Sequence, residues 1–342
     1  MKVEWNDFDY NGYNEEELQK LSDERSIPYI LRESYSFGKI IREYGFYPSL
    51  LPLTIYHLHG AGRVFSNHPY QHELDSKAYC MFVNNSADVQ TYSDAGMDCE
   101  VMFHPFVYYR RSRKIEKSQN AKGTIIFPSH MTPDVDDLSD VSEYIEQIKN
   151  LPDIYKPLSV CMCWVDITQG KHKVWMENGF PVYTVGNAYH EEFVERFYDL
   201  IRHFKFMTSN SIGSQTYYAV EMGIPFFLFG SGPQYFNKTD PNFPKGKMDI
   251  HKHENYKKIH NLFTELTTEI NPRQKQAVLE GLGVHDGISR LKMMRILYMG
   301  FFKGKKVTFS LLKVTIYLLK NLFCHGKNRK KRRRFGFFSG MY

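Results

Sequence analysis

Cysteine is scarce in this chain. Five occur in 342 residues, at Cys80, Cys99, Cys161, Cys163 and Cys324. The number is odd and the spacing scattered, which excludes a disulfide framework and fits reduced thiols in a reducing compartment. Cys161 and Cys163 stand two apart in an expected strand, but no second Cys or His pair at zinc spacing follows them. His251, His253 and His260 lack a carboxylate or Cys to complete a metal set, and Asp136-Asp137 reads as helix capping. No metal and no cofactor is therefore expected. Residues 1–13 are acidic and aromatic, without the apolar core of a secretory signal. No apolar run is long and uninterrupted enough to predict a membrane span. Acidic residues are missing altogether from 303–342, where twelve Lys and Arg stand. Removing those twelve from the net charge of +6 leaves the body at −6. The body is thus not a general nucleic-acid surface, and no nucleic-acid partner is expected.

Apolar and aromatic residues are plentiful, at 42% and 15%. They predict a packed globular chain, and its length makes two domains the prior. Short apolar strands are expected at 51–58, 78–83 and 99–103, with helices at 29–44 and 87–95. The charged stretch 110–122 reads as a linker. The rhythm then restarts, with strands at 123–127, 158–164, 181–185, 204–208 and 226–229. Helices are expected at 141–149, 169–178, 190–203 and 215–222, the first capped by Asp140 with Glu143. Strands alternating with helices predict an α/β fold with parallel sheets. Residues 236–254 read as a polar loop able to act as a lid.

The stretch 204–230, FKFMTSNSIGSQTYYAVEMGIPFFLFG, is the most informative. A strand leads into a Ser/Gly turn and then a helix that Gly223 can end. Such a turn offers unpaired backbone N–H groups and a helix dipole to an anion. Helix capping by the serines is the competing reading.

With residues 123–130 (GTIIFPSH), 185–187 (VGN) and 209–225, the chain resembles GT-B-type glycosyltransferases of bacterial surface-polysaccharide synthesis. LHG at 58–60 and FHPF at 103–106 add to the resemblance in the first half. The likeness implies two Rossmann-like domains facing across a cleft: 1–112 on the acceptor side and 113–300 holding a nucleotide sugar. It implies donor contacts from Ser129, His130, Gly186, Asn187, Ser209, Ser211, Gly213, Ser214 and Glu221. The rival readings are loop or turn residues for Ser129, His130, Gly186 and Asn187, and a solvated helix face for Glu221. His59, beside Gly60 on the acceptor side, is the candidate base, since imidazole titrates near neutrality. A buried structural imidazole is its rival. His104 reads as a packing or hinge element.

The tail 301–342 carries a separate signal. Residues 307–323 are strongly apolar, and Lys306, Lys313 and Lys320 recur every seven residues on one helical side. That pattern suits a helix lying in the bilayer interface. Arg332, Arg333 and Arg334, within the cluster 327–334, would favour anionic lipid. The rivals are a nucleic-acid arm and a disordered tail. The expectation is a cytoplasmic enzyme peripherally bound to the inner face of a membrane. It would move sugar from a nucleotide donor to a glycan acceptor, lipid-linked in the favoured case. A nucleotide-sugar epimerase and a non-catalytic membrane scaffold are the alternatives.

Overall fold

The computed structural model describes residues 8–28, 30–62, 68–303 and 316. In chain order the strands are β1 Tyr56–His57, β2 Met81–Val83, β3 Cys99–Val101, β4 Thr124–Ile126, β5 Val135–Asp137, β6 Leu158–Cys161, β7 Val182–Tyr183, β8 Phe206–Ser209, β9 Phe226–Leu228, β10 Tyr235–Asn237 and β11 Gly246–Lys247. The first three form a parallel sheet in the order β1-β2-β3. Five more form a second parallel sheet, β7-β6-β4-β8-β9. The remaining three make a small antiparallel sheet, β11-β10-β5. Every residue of β4 and β8 is buried. That is the mark of parallel strands covered on both faces, and it buries even Thr124, Thr208 and Ser209.

Local sequence sets the helix ends. Asn85 caps the helix Ser86–Asp94. Asp140 caps Val141–Lys149 by accepting from the backbone N–H groups of Ser142 and Glu143. Gly223, at φ 88°, closes Ser214–Met222 in the left-handed conformation that glycine tolerates.

Five expectations need correction. The helix expected over 29–44 starts only at Phe37 and is preceded by a 3-10 turn, Leu31–Glu33. Tyr35 and Ser36 have positive φ there, held by contacts distant in sequence: Tyr35 N–H donates to the Ala188 carbonyl and Ser36 Oγ to Glu191. The strand expected over 158–164 stops at Cys161, and a short helix, Trp164–Thr168, begins after Cys163. The start of the expected linker is ordered: Arg110 and Arg111 end the helix Pro105–Ser112 and pair with Glu221. Asp136 and Asp137 lie on β5 and cap no helix. The expected loop 236–254 contains β10 and β11, and its Asn242 side chain accepts from Gln71 N–H at 2.7 Å.

The two ends of the described chain cross between the parallel sheets. Tyr13 N–H donates to Val182 on β7 at 2.8 Å, and the Tyr10 hydroxyl to His203 at 2.8 Å. The early helix Glu15–Asp23 packs against Trp164–Thr168. Conversely, the helix Arg290–Lys303 lies on Phe37–Tyr44, with Arg290 Nε donating to the Tyr44 carbonyl at 2.9 Å. Contacts therefore run across the expected division at 112/113, and the helix Arg290–Lys303 runs through that at 300/301. A single aromatic-rich core joins the sheets, running from Phe37 through Phe106 and Tyr218 to Phe226.

Candidate functional site

In the five-stranded sheet the chain begins in the middle, at β4. It moves outward to β6 and β7, then returns to the other side of β4 with β8 and β9. The direction of winding reverses between β4 and β8. Loops leaving the carboxyl ends of those two strands diverge there, and that crevice is the usual ligand site of open parallel sheets. The two loops are 127–130 and 210–213. Asn210 ties them together: its Oδ1 accepts from Ser129 N–H at 2.8 Å, and its Nδ2 donates to Ser231 at 3.1 Å.

Ser129 Oγ donates to the Asp137 carboxylate on β5. His130 is exposed, with Nδ1 at 2.9 Å from the Met131 carbonyl. The Cys163 side chain, just beyond β6, raises the ring's pKa above the ordinary imidazole value, and Asp166 adds to the effect. His130 thus adds an exposed imidazole to an edge of hydroxyl, amide and glycine groups with the Asp137 carboxylate beside them.

The Ser/Gly turn resolves into two parts. Ser209 and Ser211 face inward. Ser209 Oγ accepts from Ser211 N–H at 3.1 Å, and Ser211 Oγ is 3.4 Å from the Tyr256 hydroxyl in the interior. Gly213 and Ser214 are half-buried at the helix N-terminus. Gly213 has φ −146°, an ordinary extended value, and the Gln215 side chain covers it. Ser214 Oγ accepts from Ala61 N–H at 3.1 Å. The loop after β1 is therefore seated against the helix N-terminus. Gly60 turns that loop at φ +82°, and its carbonyl accepts from Asn84 Nδ2 at 3.3 Å. The carboxyl edges of the two parallel sheets meet at this point. The sequence reading quoted Asn210 within the turn without giving it a role, and it missed Asn84 and Tyr256. Asn84 and Asn210 each carried a signal, an amide directly after a strand; Tyr256 carried none.

Other expected residues do different work. His59 Nε2 is 3.0 Å from Ser34 Oγ, whose hydroxyl donates to the Leu31 carbonyl at 2.7 Å. His59 Nδ1 is buried, so both ring nitrogens are turned into the fold. Burial, with His72 and His57 beside it, pulls its pKa down to about 3. That geometry matches the rival packing reading of His59 more closely than that of a near-neutral base. His57 and His104 complete an aromatic nest around Phe37. His104 caps the helix Pro105–Ser112 and reaches the Tyr218 hydroxyl at 3.0 Å, a packing role.

Gly186 and Asn187 hold the N-terminal segment. Asn187 is fully buried and donates to Ser22 at 2.8 Å, and a Cβ on Gly186 would come within 2.9 Å of the Leu21 carbonyl. The neighbours of these two expected donor contacts are thus the chain itself. Glu221, expected at a ribose hydroxyl, is occupied by Arg110 at 2.6 and 2.7 Å and by Arg111 at 3.0 Å. Lys306, Lys313, Lys320, Arg332, Arg333 and Arg334 lie outside the described residues.

A cleft of about 300 Å³ lies away from this edge, lined among others by Ile30, Glu33, Lys39, Arg42 and Leu51. Among the described residues, no three His, Cys, Asp or Glu side chains gather for a metal ion. No described helix is long and apolar enough to cross a membrane.

No protein-family model and no curated protein matches the chain. Two similar solved structures are of the wall teichoic acid polymerase TagF. A variant of that polymerase aligns at 11% identity and TM-score 0.34, over 78% of this chain and 69% of its own. The second structure aligns at 10% identity and TM-score 0.30, over 79% and 68%.

Proposed function

We propose that the protein is a glycosyltransferase that moves a sugar from a nucleotide donor to a glycan acceptor in surface-glycan synthesis. The observation that carries the reading is the juxtaposition at the sheet edge. The winding reversal between β4 and β8 sits beside a helix N-terminus, and that N-terminus faces the loop of the other parallel sheet. The motif resemblance at 123–130 and 209–225 supplies the choice of chemistry.

In this reading the donor phosphates lie against Gly213, Ser214 and the first N–H groups of Ser214–Met222. Negative charge developing on the leaving phosphate is stabilised there by backbone dipoles. His130, exposed at this edge, donates a ring N–H to a donor phosphate. The acceptor enters beside Gly60 and Ala61. The tail 301–342 holds the enzyme at an anionic membrane surface, where a lipid-linked acceptor is found.

The test is nucleotide-sugar turnover with and without a lipid-linked glycan acceptor. Acceptor-dependent release of nucleotide supports the reading. Interconversion of the sugar without an acceptor identifies an epimerase. No turnover and no nucleotide binding leaves a non-catalytic membrane protein.

A further inference from the structure

The helix Arg290–Lys303 buries one face and leaves the other bare. Met293, Leu297 and Gly300 pack inward. Leu291, Arg295, Tyr298 and Phe302 recur at spacings of four, three and four residues, so they share the outer face. Leu291 is 68% exposed and Phe302 67%. The loop following Phe37–Tyr44 extends this face: Phe46 is 57% exposed and Leu50 64%. Contacts fix the loop beside the helix. The Tyr47 and Tyr298 rings are 5.2 Å apart, and the Arg290 guanidinium lies 4.0 Å from the Phe46 ring centre.

Large apolar side chains exposed together mark a surface that meets something apolar. Most charges around them are cationic, and Glu43, near Phe46, is held by Arg113 at 2.6 Å. Arg290 covers Phe46, Arg295 stands between Leu291 and Phe302, and Lys303 ends the helix. Lys292, on the flank, is held by Glu100 at 2.7 Å. From Lys303 the sequence continues into 304–342, which is basic and free of acid. Apolar side chains interleaved with cations, on a helix that leads into a polybasic segment, match the chemistry of an anionic bilayer surface.

We propose that this face of the folded body inserts into an anionic lipid surface. Phe46, Leu50, Leu291 and Phe302 enter the headgroup boundary, while Arg290, Arg295 and Lys303 meet the phosphates. The proposal rests on the membrane-bound reading of the tail and deepens it. The tail supplies electrostatic attraction and the body supplies apolar insertion, two signals where one alone holds weakly. It also fixes which side of the protein faces lipid.

The experiment uses the full chain carrying Leu50→Gln, Leu291→Gln and Phe302→Gln together, which leaves every charge in place. Binding to phosphatidylglycerol/phosphatidylcholine vesicles is measured by sedimentation at about 0.1 M and about 1 M salt, where surface electrostatics are largely screened. Circular dichroism and melting confirm that the variant folds, and a parallel nucleotide titration reads the donor site independently. The expected result is vesicle affinity at least about tenfold lower at both salt concentrations, with nucleotide binding unchanged. Vesicle binding equal to the parent's at both concentrations overturns the proposal and assigns the face to a protein segment or a second copy. Loss of nucleotide binding in parent and variant alike counts against the glycosyltransferase reading and leaves this one standing.

Discussion

Gly213→Val separates ligand binding from folding at the donor turn. At φ −146° and ψ −177° the backbone is extended, a conformation that valine adopts readily. The added Cβ would meet the Gln215 side chain, Oε1 first, and no backbone atom is among its three nearest neighbours. Gln215 is half-buried and flexible, so it can swing aside. The variant should therefore fold with a melting temperature within a few degrees of the parent, roughly a 1 kcal/mol effect. Binding should respond differently. A phosphate held by helix N-terminal N–H groups takes charge-assisted hydrogen bonds, each worth about 1.5–3 kcal/mol. A β-branched side chain beside Gly213 would displace the phosphate from one of them. Nucleotide affinity should fall roughly 10- to 100-fold by calorimetry. A folded variant that binds nucleotide as tightly as the parent would refute the donor site proposed here.

Four further outcomes are expected. Ser211→Ala should leave nucleotide affinity unchanged and lower stability by about 1 kcal/mol in denaturant titration, since the hydroxyl faces Tyr256 in the interior. Stability should fall as pH drops from about 6.5 towards 4, because burial holds His57 down to about 4 and an unfolded imidazole takes up its proton near 6.5. The unfolded state then binds more protons across that window, costing on the order of 3 kcal/mol by pH 4, and denaturation midpoints at pH 7 and 4.5 should show it. Deleting 305–342 should release the protein from anionic vesicles into the supernatant with the body still folded. Chelator should leave sugar transfer unchanged; complete loss restored by Mg²⁺ or Mn²⁺ would point to a carboxylate set.

The sequence revealed the strands of the two parallel sheets, most helices and the turn at 209–214, because these depend on local signals: apolar runs, a capping Asp140 and a terminating Gly223; it missed the small antiparallel sheet β11-β10-β5. It did not reveal which residues face the crevice. Ser211 and Ser214 look alike in sequence, yet one turns to Tyr256 and the other to Ala61, each partner far away in the chain. Glu221 looked solvated or ligand-facing until the fold brought Arg110 and Arg111 to it. Gly186 was read as a donor contact or a turn residue, and what approaches it is the backbone of Leu21, far away in the chain. The crossing of the chain ends left no local signal, since the partners that hold them, Val182 and His203 at one end and Tyr44 at the other, are far away in the sequence. The break before Phe37 was hidden for the same reason: Ala188 and Glu191 impose it from a distance.

The most direct measurement is transfer itself. Purified full-length protein is incubated with a panel of radiolabelled nucleotide sugars and membranes carrying lipid-linked glycan, and label in the lipid fraction is counted. The account predicts incorporation from one donor, dependent on the acceptor and reduced in Gly213→Val. No incorporation from any donor, together with no nucleotide bound in calorimetry, would contradict it.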